Sequence, residues 1–124
     1  MSKHPIFIVD DHSDTTHLLQ IILAERGYIV RVSNDPQRAL VELQRMEQPC
    51  ILFMDHTLPG INPSEFKKRA EQLNHPVHFV LMTGLNAKEK AAELGIEHSL
   101  QKPFEPEELI DLTAKLYSAC AAAV

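Results

Sequence analysis

The chain of 124 residues has little of several features that define whole classes of protein. It contains two cysteines, Cys50 and Cys120, whose spacing matches no metal-binding or redox motif, and we expect reduced thiols. No apolar run approaches the length of a membrane span, and the first residues contain no apolar core of a signal peptide. The sequence therefore predicts a cytoplasmic globular protein that makes no membrane contact.

An excess of positive charge is also missing. The formal net charge is -5 at pH 7, and the only basic cluster is 67–69. Because nucleic-acid backbones attract strongly basic surfaces, we expect no direct binding of nucleic acid. The length fits one domain, so we expect a single domain over residues 1–124, with 119–124 as a frayed tail.

The apolar residues alternate between short runs typical of strands and longer stripes typical of helices. The expected strands are 6–9, 28–32, 50–54, 77–82 and 96–100. Amphipathic stretches follow each of them, the last from Glu105 to Tyr117. Parallel strands need crossover connections, so this order predicts an α/β fold with a five-stranded parallel sheet covered on both faces.

The expected helices carry recognisable starts and apolar faces. Asp35 before Pro36, and Asn62 before Pro63, place a capping side chain ahead of a proline at the first helical position. Asn86, three residues before a glutamate, is expected to cap the fourth helix. The expected apolar face of the first helix consists of Leu18, Leu19, Ile22 and Leu23.

Polar side chains follow four of the five expected strands. In an open α/β sheet, ligands bind outside the carboxyl ends of the strands, near the switch in strand order. The residues at those ends are Asp10, Asp11, Asp55, Thr83 and Lys102. Each of them alone is typical of a turn or a helix cap. Because all of them fall on one edge of the predicted sheet, together they predict a site.

Three converging carboxylates need a positive partner. Two like charges about 4 Å apart cost about 4 kcal/mol at an effective dielectric constant near 20, unless a cation joins them or a proton is retained. An oxygen donor set with neither thiol nor imidazole suits Mg²⁺ or Mn²⁺. A cation, the Lys102 ammonium and the Thr83 hydroxyl around Asp55 would equip that carboxylate to receive a phosphoryl group as the nucleophile. His12 and His17 are interpreted as exposed helix residues.

The order and spacing of these residues resemble the receiver domains of response regulators, the phospho-accepting switches of two-component signalling. The resemblance covers almost the whole chain, from Ile6 to the last helix. Its markers are Asp10-Asp11, Asp55 with Pro59-Gly60, Thr83-Gly84 and Lys102-Pro103-Phe104. It implies a flavodoxin-like doubly wound (βα)5 fold with strand order 2-1-3-4-5 and a cis Lys102-Pro103 peptide.

The resemblance implies a cation site and a phosphoacceptor. Asp55 would accept the phosphoryl group. Asp11 and Asp55 would bind Mg²⁺ directly, joined by the backbone carbonyl of Thr57, and Asp10 would assist. Mn²⁺ would serve in place of Mg²⁺.

The resemblance also implies a switch. Lys102 would pair with the phosphoryl group or, before phosphorylation, with Asp55, and Thr83 would move inward to bond a phosphoryl oxygen. The family usually has Tyr or Phe three residues before the lysine, and its ring follows the threonine. That position is Ser99, which cannot fill the space, so either another residue such as His98 reports the state or the readout is weak.

The implied donor is a histidine kinase or a phosphotransfer protein, and the output is a contact with another protein. A dimer formed on phosphorylation would use the fourth helix, fifth strand and fifth helix. The only reactions expected are phosphorylation and dephosphorylation of the chain itself, so it is not expected to be an enzyme acting on an external substrate. The chain would act alone by protein contact or belong to a longer protein.

Two other functions stay open. The first is a degenerate receiver that binds partners without phosphorylation, which Ser99 favours mildly and the intact acid cluster opposes. The second is a small Mg²⁺-dependent aspartyl phosphatase. Such hydrolases usually carry a second acid two residues after the nucleophile, whereas the residues here are His12 and Thr57.

Overall fold

Strands and helices alternate along the whole of the described chain. The computed structural model describes residues 4–73 and 75–122. Its elements are β1 (Ile6–Val9), α1 (Ser13–Glu25), β2 (Val30–Ser33), α2 (Pro36–Gln44), β3 (Cys50–Asp55), α3 (Pro63–Glu71), β4 (Val77–Thr83), α4 (Ala87–Glu93), β5 (His98–Gln101) and α5 (Pro106–Ala122). The strands are parallel in the order β2-β1-β3-β4-β5. The predicted doubly wound, flavodoxin-like sheet is confirmed.

Two apolar layers hold the helices against the sheet, because successive strand residues point to opposite faces. On one face, α2, α3 and α4 contribute Ala39, Leu40, Leu43, Phe66, Ala70 and Ala91. On the other face, α1 and α5 contribute Leu19, Leu23, Leu109, Leu116 and Cys120. Full burial of a large apolar side chain is worth about 1.5–3 kcal/mol, so these layers fix the strand ends in place.

Two of the three predicted helix caps form. The Asp35 side chain accepts a hydrogen bond from the N–H of Gln37, and the Asn62 side chain accepts one from the N–H of Glu65. Within the described chain, the Asn86 side chain makes no capping hydrogen bond, so that prediction is wrong. Its backbone is left-handed, with φ of 52°, whereas a capping side chain needs an extended residue.

The first helix buries a narrower face than expected. Leu19 and Leu23 are fully buried, but Leu18 is 51% exposed. Residues four apart share a helix face, whereas neighbours in sequence lie about 100° apart, so Leu18 turns away from the sheet. The expectation that Leu18 belongs to the core is wrong.

The second strand and the last helix have different bounds from those expected. β2 begins at Val30, because the backbone N–H of Tyr28 still donates to the Leu23 carbonyl of α1 at 3.3 Å; the Tyr28 ring packs against Tyr117 of α5, with ring centroids 5.1 Å apart. α5 continues to Ala122 because the fully buried Cys120 anchors its last turn. Residues 119–122 are therefore helical, where a frayed tail was expected, and 123–124 lie outside the described residues. No helix in the described ranges is long and apolar enough to cross a membrane.

Candidate functional site

Strand register brings the first and third strand ends together. Val9 of β1 lies opposite Met54 of β3, so the next residues, Asp10 and Asp55, are neighbours at the carboxyl edge. β1 sits between β2 and β3, which makes this edge the switch in strand order. The sheet alone therefore places two of the predicted carboxylates side by side, and both residues are buried.

The β4–β5 pair brings the Thr83 hydroxyl and the Lys102 ammonium to the same edge of the sheet. Thr83, the last residue of β4, is buried and lies opposite Gln101 of β5. The backbone N–H of Lys102 donates to the carbonyl of Thr83 at 2.8 Å, so these two residues are tied at the backbone. The Lys102-Pro103 peptide is cis, as the resemblance implies.

Lys102 lies closer to Asp10 than to Asp55, the partner that the resemblance implies. Its Nζ donates to Asp10 Oδ2 at 2.9 Å and lies 3.7 Å from Asp55 Oδ1. The Asp10 side chain is completely buried, and the Lys102 side chain is 20% exposed. Lys102 therefore bridges the two carboxylates, and its direct hydrogen bond goes to Asp10.

His12 is part of this cluster, which sequence reasoning missed. Its Nδ1 lies 2.8 Å from Asp10 Oδ1, 3.3 Å from Asp11 Oδ1 and 3.2 Å from Asp55 Oδ2. His12 is exposed, as predicted, but its expected place on the helix is wrong, because it precedes α1 in the turn that leaves β1. A histidine directly after two acids at a strand end is the signal that could have found it. His17, on α1 itself, is exposed as expected.

The two buried carboxyl groups have opposite pKa shifts. Burial raises the pKa of Asp10, but hydrogen bonds from the His12 backbone, Lys102 and the His12 ring outweigh it and lower the pKa. Burial and the negative charge of Asp10 together raise the pKa of Asp55, against the weaker pull of Lys102 and His12. Asp10 is the paired carboxylate, and Asp55 carries the uncompensated charge.

The imidazole of His12 responds to the same charges. Its hydrogen bond to Asp10, followed by the charge of that carboxylate, raises the pKa of His12 above its usual range. The nearby Lys102 opposes the shift. His12 thus serves as a second cationic neighbour for the acids when it is protonated.

The cluster fits a divalent cation. Among the described residues, the buried Asp55 Oδ2 accepts no hydrogen bond, which leaves a charged oxygen that needs a partner. One ligand atom from each of Asp10, Asp11, His12 and Asp55 lies within 4.8 Å of the others. Asp11 is partly exposed, which gives an ion access from solvent. Thr57 lies in the exposed bend after β3.

Ser99 and His98 lie away from the cluster, near α4. Ser99 lines a cavity of about 520 Å³ between α4, β5 and α5, together with Lys88, Ala91 and Leu112. The His98 side chain is only 17% exposed, and its Nε2 lies 3.1 Å from Glu97 Oε1. His98 is a strand residue, as interpreted, but the expectation that it is solvated is wrong.

Comparison with known families agrees with the fold and the cluster. The family model described as the response regulator receiver domain matches residues 6–114. The chain belongs to this receiver-domain family. Receiver domains are parts of two-component response regulators, and the strand order and the strand-end residues described above accord with that membership.

Three similar proteins place this receiver domain among its relatives. It is 27% identical to sporulation initiation phosphotransferase F of Bacillus subtilis, covering 93% of this chain and 94% of that protein. It is 30% identical to the transcriptional regulatory protein FixJ of Bradyrhizobium diazoefficiens, covering 95% of this chain but 57% of FixJ. A solved structure of a putative response regulator from Chloroflexus aurantiacus superposes with a TM-score of 0.80 at 29% identity, covering 94% of this chain and 99% of that one.

Proposed function

We propose that this receiver domain accepts a phosphoryl group on Asp55 from a histidine kinase or a phosphotransfer protein and thereby changes its contacts with a partner protein. The observation that carries the proposal is the state of Asp55. Its carboxylate is buried at the switch in strand order, its pKa is raised, and its Oδ2 lacks a hydrogen bond in the described structure. A carboxylate oxygen without a hydrogen bond is available to attack.

The proposed step is a simple displacement at phosphorus. A carboxylate oxygen of Asp55 forms the new bond, and the phosphorus–nitrogen bond of the donor phosphohistidine breaks. The donor imidazole keeps the electron pair and takes a proton from water. Lys102, 3.7 Å from Asp55 Oδ1, would turn its ammonium to the transferred oxygens, and the Thr83 hydroxyl would donate to one of them.

A divalent cation belongs to this proposal. Asp10, Asp11, Asp55 and the backbone carbonyl of Thr57 would hold Mg²⁺ or Mn²⁺, and the cation would supply positive charge beside the phosphoryl oxygens. The acids of this chain bring the opposite charge, and Lys102 neutralises only one of them. The unmatched negative charge is what supports a cation requirement.

The proposed output surface consists of α4, β5 and α5, where a dimer or a partner would bind after phosphorylation. Lys102 and Thr83 are joined at the backbone, so a change at the cluster reaches β5 directly. The similarity to a phosphotransferase of nearly the same length supports protein contact as the output. The proposal places the phosphoryl transfer in the cytoplasm, as the cysteine pattern of the sequence predicts.

One observation favours a second function, a receiver that binds partners without phosphorylation. Ser99 offers no ring at the position where the family's aromatic residue follows the threonine, and it lines an open cavity instead. The two functions differ in one measurable property, which is whether Asp55 takes a phosphoryl group at all.

Intact-mass measurement separates them. The protein is incubated with Mg²⁺ and a small acyl phosphate, alongside Asp55→Asn and the exposed-site control Asp111→Asn. We expect one added phosphoryl group on the wild type and the control, none on Asp55→Asn, and loss of the group in mild base. A wild type that gains no mass with any acyl phosphate or phosphoramidate donor refutes phosphorylation and leaves the second function.

A further inference from the structure

We infer that His12 is a direct ligand of the divalent cation, so that this receiver domain prefers Mn²⁺, Co²⁺ and Ni²⁺ over Mg²⁺ more strongly than an all-oxygen site would. The inference rests on the cation site of the proposed function. It changes the donor set from carboxylates and a carbonyl to a mixed set that contains one imidazole nitrogen.

The distances around the ring nitrogen carry the argument. His12 Nδ1 lies 2.8, 3.3 and 3.2 Å from oxygens of Asp10, Asp11 and Asp55. Neighbouring ligands of an octahedral ion with bonds near 2.1 Å are about 3 Å apart, which is the spacing seen here. One ring nitrogen donates at most one hydrogen, so hydrogen bonding accounts for the Asp10 contact alone. The three oxygens lie around this nitrogen at the spacing of ligands that share one metal centre.

The backbone holds the ring at this place. The His12 N–H donates to Asp10 Oδ1 at 2.9 Å, and its carbonyl accepts the first helical hydrogen bond, from the N–H of Thr16. His12 is thus anchored on both sides, in the turn from β1 into α1. Its side chain is 61% exposed, so an ion reaches Nδ1 without any movement of the core.

The buried oxygen opposite the ring is an independent sign of a missing partner. Asp55 is 4% exposed, and its Oδ2 receives no hydrogen bond from any described residue. That oxygen faces His12 Nδ1 at 3.2 Å. An ion that binds both atoms as neighbouring ligands would give this oxygen its partner.

The chemistry of the ligands decides which ion is favoured. Carboxylates and carbonyls suit Mg²⁺ and Mn²⁺, whereas imidazole suits the later first-row metals, whose affinity rises from Mn²⁺ through Co²⁺ to Ni²⁺. Mg²⁺ gains little from a nitrogen ligand. Exchanging a water for the His12 nitrogen therefore raises affinity for Co²⁺ and Ni²⁺ most, for Mn²⁺ less and for Mg²⁺ least.

Direct binding measurements test the ligand role. Tag-free wild type, His12→Ala, His12→Asn and the matched control His17→Ala are titrated with each metal alone at pH 8 by calorimetry. We expect His12→Ala to weaken Co²⁺ and Ni²⁺ binding at least about tenfold and Mg²⁺ binding less than about threefold. His12→Asn, with a hard amide oxygen, should behave like the alanine variant toward Ni²⁺. His17→Ala should match the wild type.

Two results would overturn the inference. One is an unchanged ratio of Ni²⁺ to Mg²⁺ affinity in both His12 variants. The other is tighter binding of every metal by His12→Ala, which would make the ring an internal counter-cation that the ion displaces. Visible absorption of bound Co²⁺ gives a second readout, since loss of a nitrogen ligand should shift its bands.

The test is independent of phosphorylation. If the wild type gains no phosphoryl mass but His12→Ala loses Ni²⁺ selectivity, the proposed function fails and the ligand assignment holds. If phosphorylation occurs and the ratios of metal affinities do not change, the proposed function holds and the ligand assignment fails.

Discussion

Neutralising Asp55 should stabilise the metal-free protein, whereas neutralising Asp10 should destabilise it. Both residues are buried acids in one cluster, and Asn has nearly the same shape as Asp. The difference lies in their partners. Asp10 accepts hydrogen bonds from the Lys102 ammonium at 2.9 Å and from the His12 backbone, whereas Asp55 Oδ2 accepts none among the described residues.

The size of each effect follows from the distances. Carboxylate oxygens of Asp10 and Asp55 lie within 4.8 Å, which is about 3.5 kcal/mol of repulsion at an effective dielectric constant of 20. Lys102 returns about 4.5 kcal/mol to Asp55 at 3.7 Å, but burial also acts against the charged form, and the raised pKa of Asp55 shows that burial and the charge of Asp10 prevail. We expect Asp55→Asn to gain about 1–2 kcal/mol, roughly 3–8 °C in Tm.

The corresponding balance for Asp10 has the opposite sign. The attraction between Asp10 and Lys102 at 2.9 Å is worth about 6 kcal/mol at the same dielectric constant. This is more than the repulsion between Asp10 and Asp55, which the Asp10→Asn substitution would relieve. Lys102 would recover part of the loss by moving to Asp55. We expect Asp10→Asn to lose about 1–2 kcal/mol, because a buried pair that loses one partner is destabilised.

Urea denaturation with EDTA at pH 7.5 measures both changes, with Asp111→Asn on the exposed side of α5 expected to stay within about 0.5 kcal/mol of the wild type. Added Mg²⁺ should then stabilise the wild type more than Asp55→Asn, which narrows the gap. Equal stabilisation by Asp10→Asn and Asp55→Asn would refute the reasoning, since it would mean that Lys102 does not favour Asp10.

Two further predictions concern caps and titration. Asn62→Ala should lose about 1 kcal/mol in the same denaturation assay, because the Asn62 side chain caps its helix. Asn86→Gly should change stability by less than about 0.5 kcal/mol, because the Asn86 side chain makes no capping hydrogen bond and glycine accepts a φ of 52°. Carboxyl NMR should give a midpoint above the ordinary 3.8 for Asp55 and below it for Asp10. Asp10 then contributes stability that is lost as the pH falls through its folded pKa. The cost of the buried Asp55 charge is relieved as the pH falls and Asp55 takes up a proton. Midpoints in the opposite order would contradict the pairing of Lys102 with Asp10.

Periodicity was sufficient to predict the sheet and the edge that carries the cluster. An apolar run that stops at an acid marks a strand end, and parallel strand ends meet at one edge whatever the side-chain details. Asp10, Asp55 and Thr83 were therefore placed correctly from their positions alone. Asp35 and Asn62 followed from local chemistry, since a capping side chain before a proline acts within one turn of helix.

The errors occurred where the outcome depends on backbone direction. Asn86 satisfies the sequence pattern of a cap, but its left-handed backbone turns the side chain away. Hydrophobic periodicity does not predict the place of His12, because the turn after β1 brings its ring to the acids. The choice of Lys102 between Asp10 and Asp55 depends on a difference of less than 1 Å, which only packing decides.

Capture of a phosphoryl group and its readout make different demands on this chain. Capture needs charges at one point, and Asp55, Lys102 and the neighbouring acids meet there. Readout needs a part that moves, and Ser99 is too small to follow Thr83 as a ring would. The link that remains is a short backbone hydrogen bond, which the N–H of Lys102 donates to the Thr83 carbonyl at 2.8 Å. In the proposed function, a signal that leaves the cluster toward α4 and α5 would pass through the β4–β5 backbone and the residues beside the cavity at Ser99.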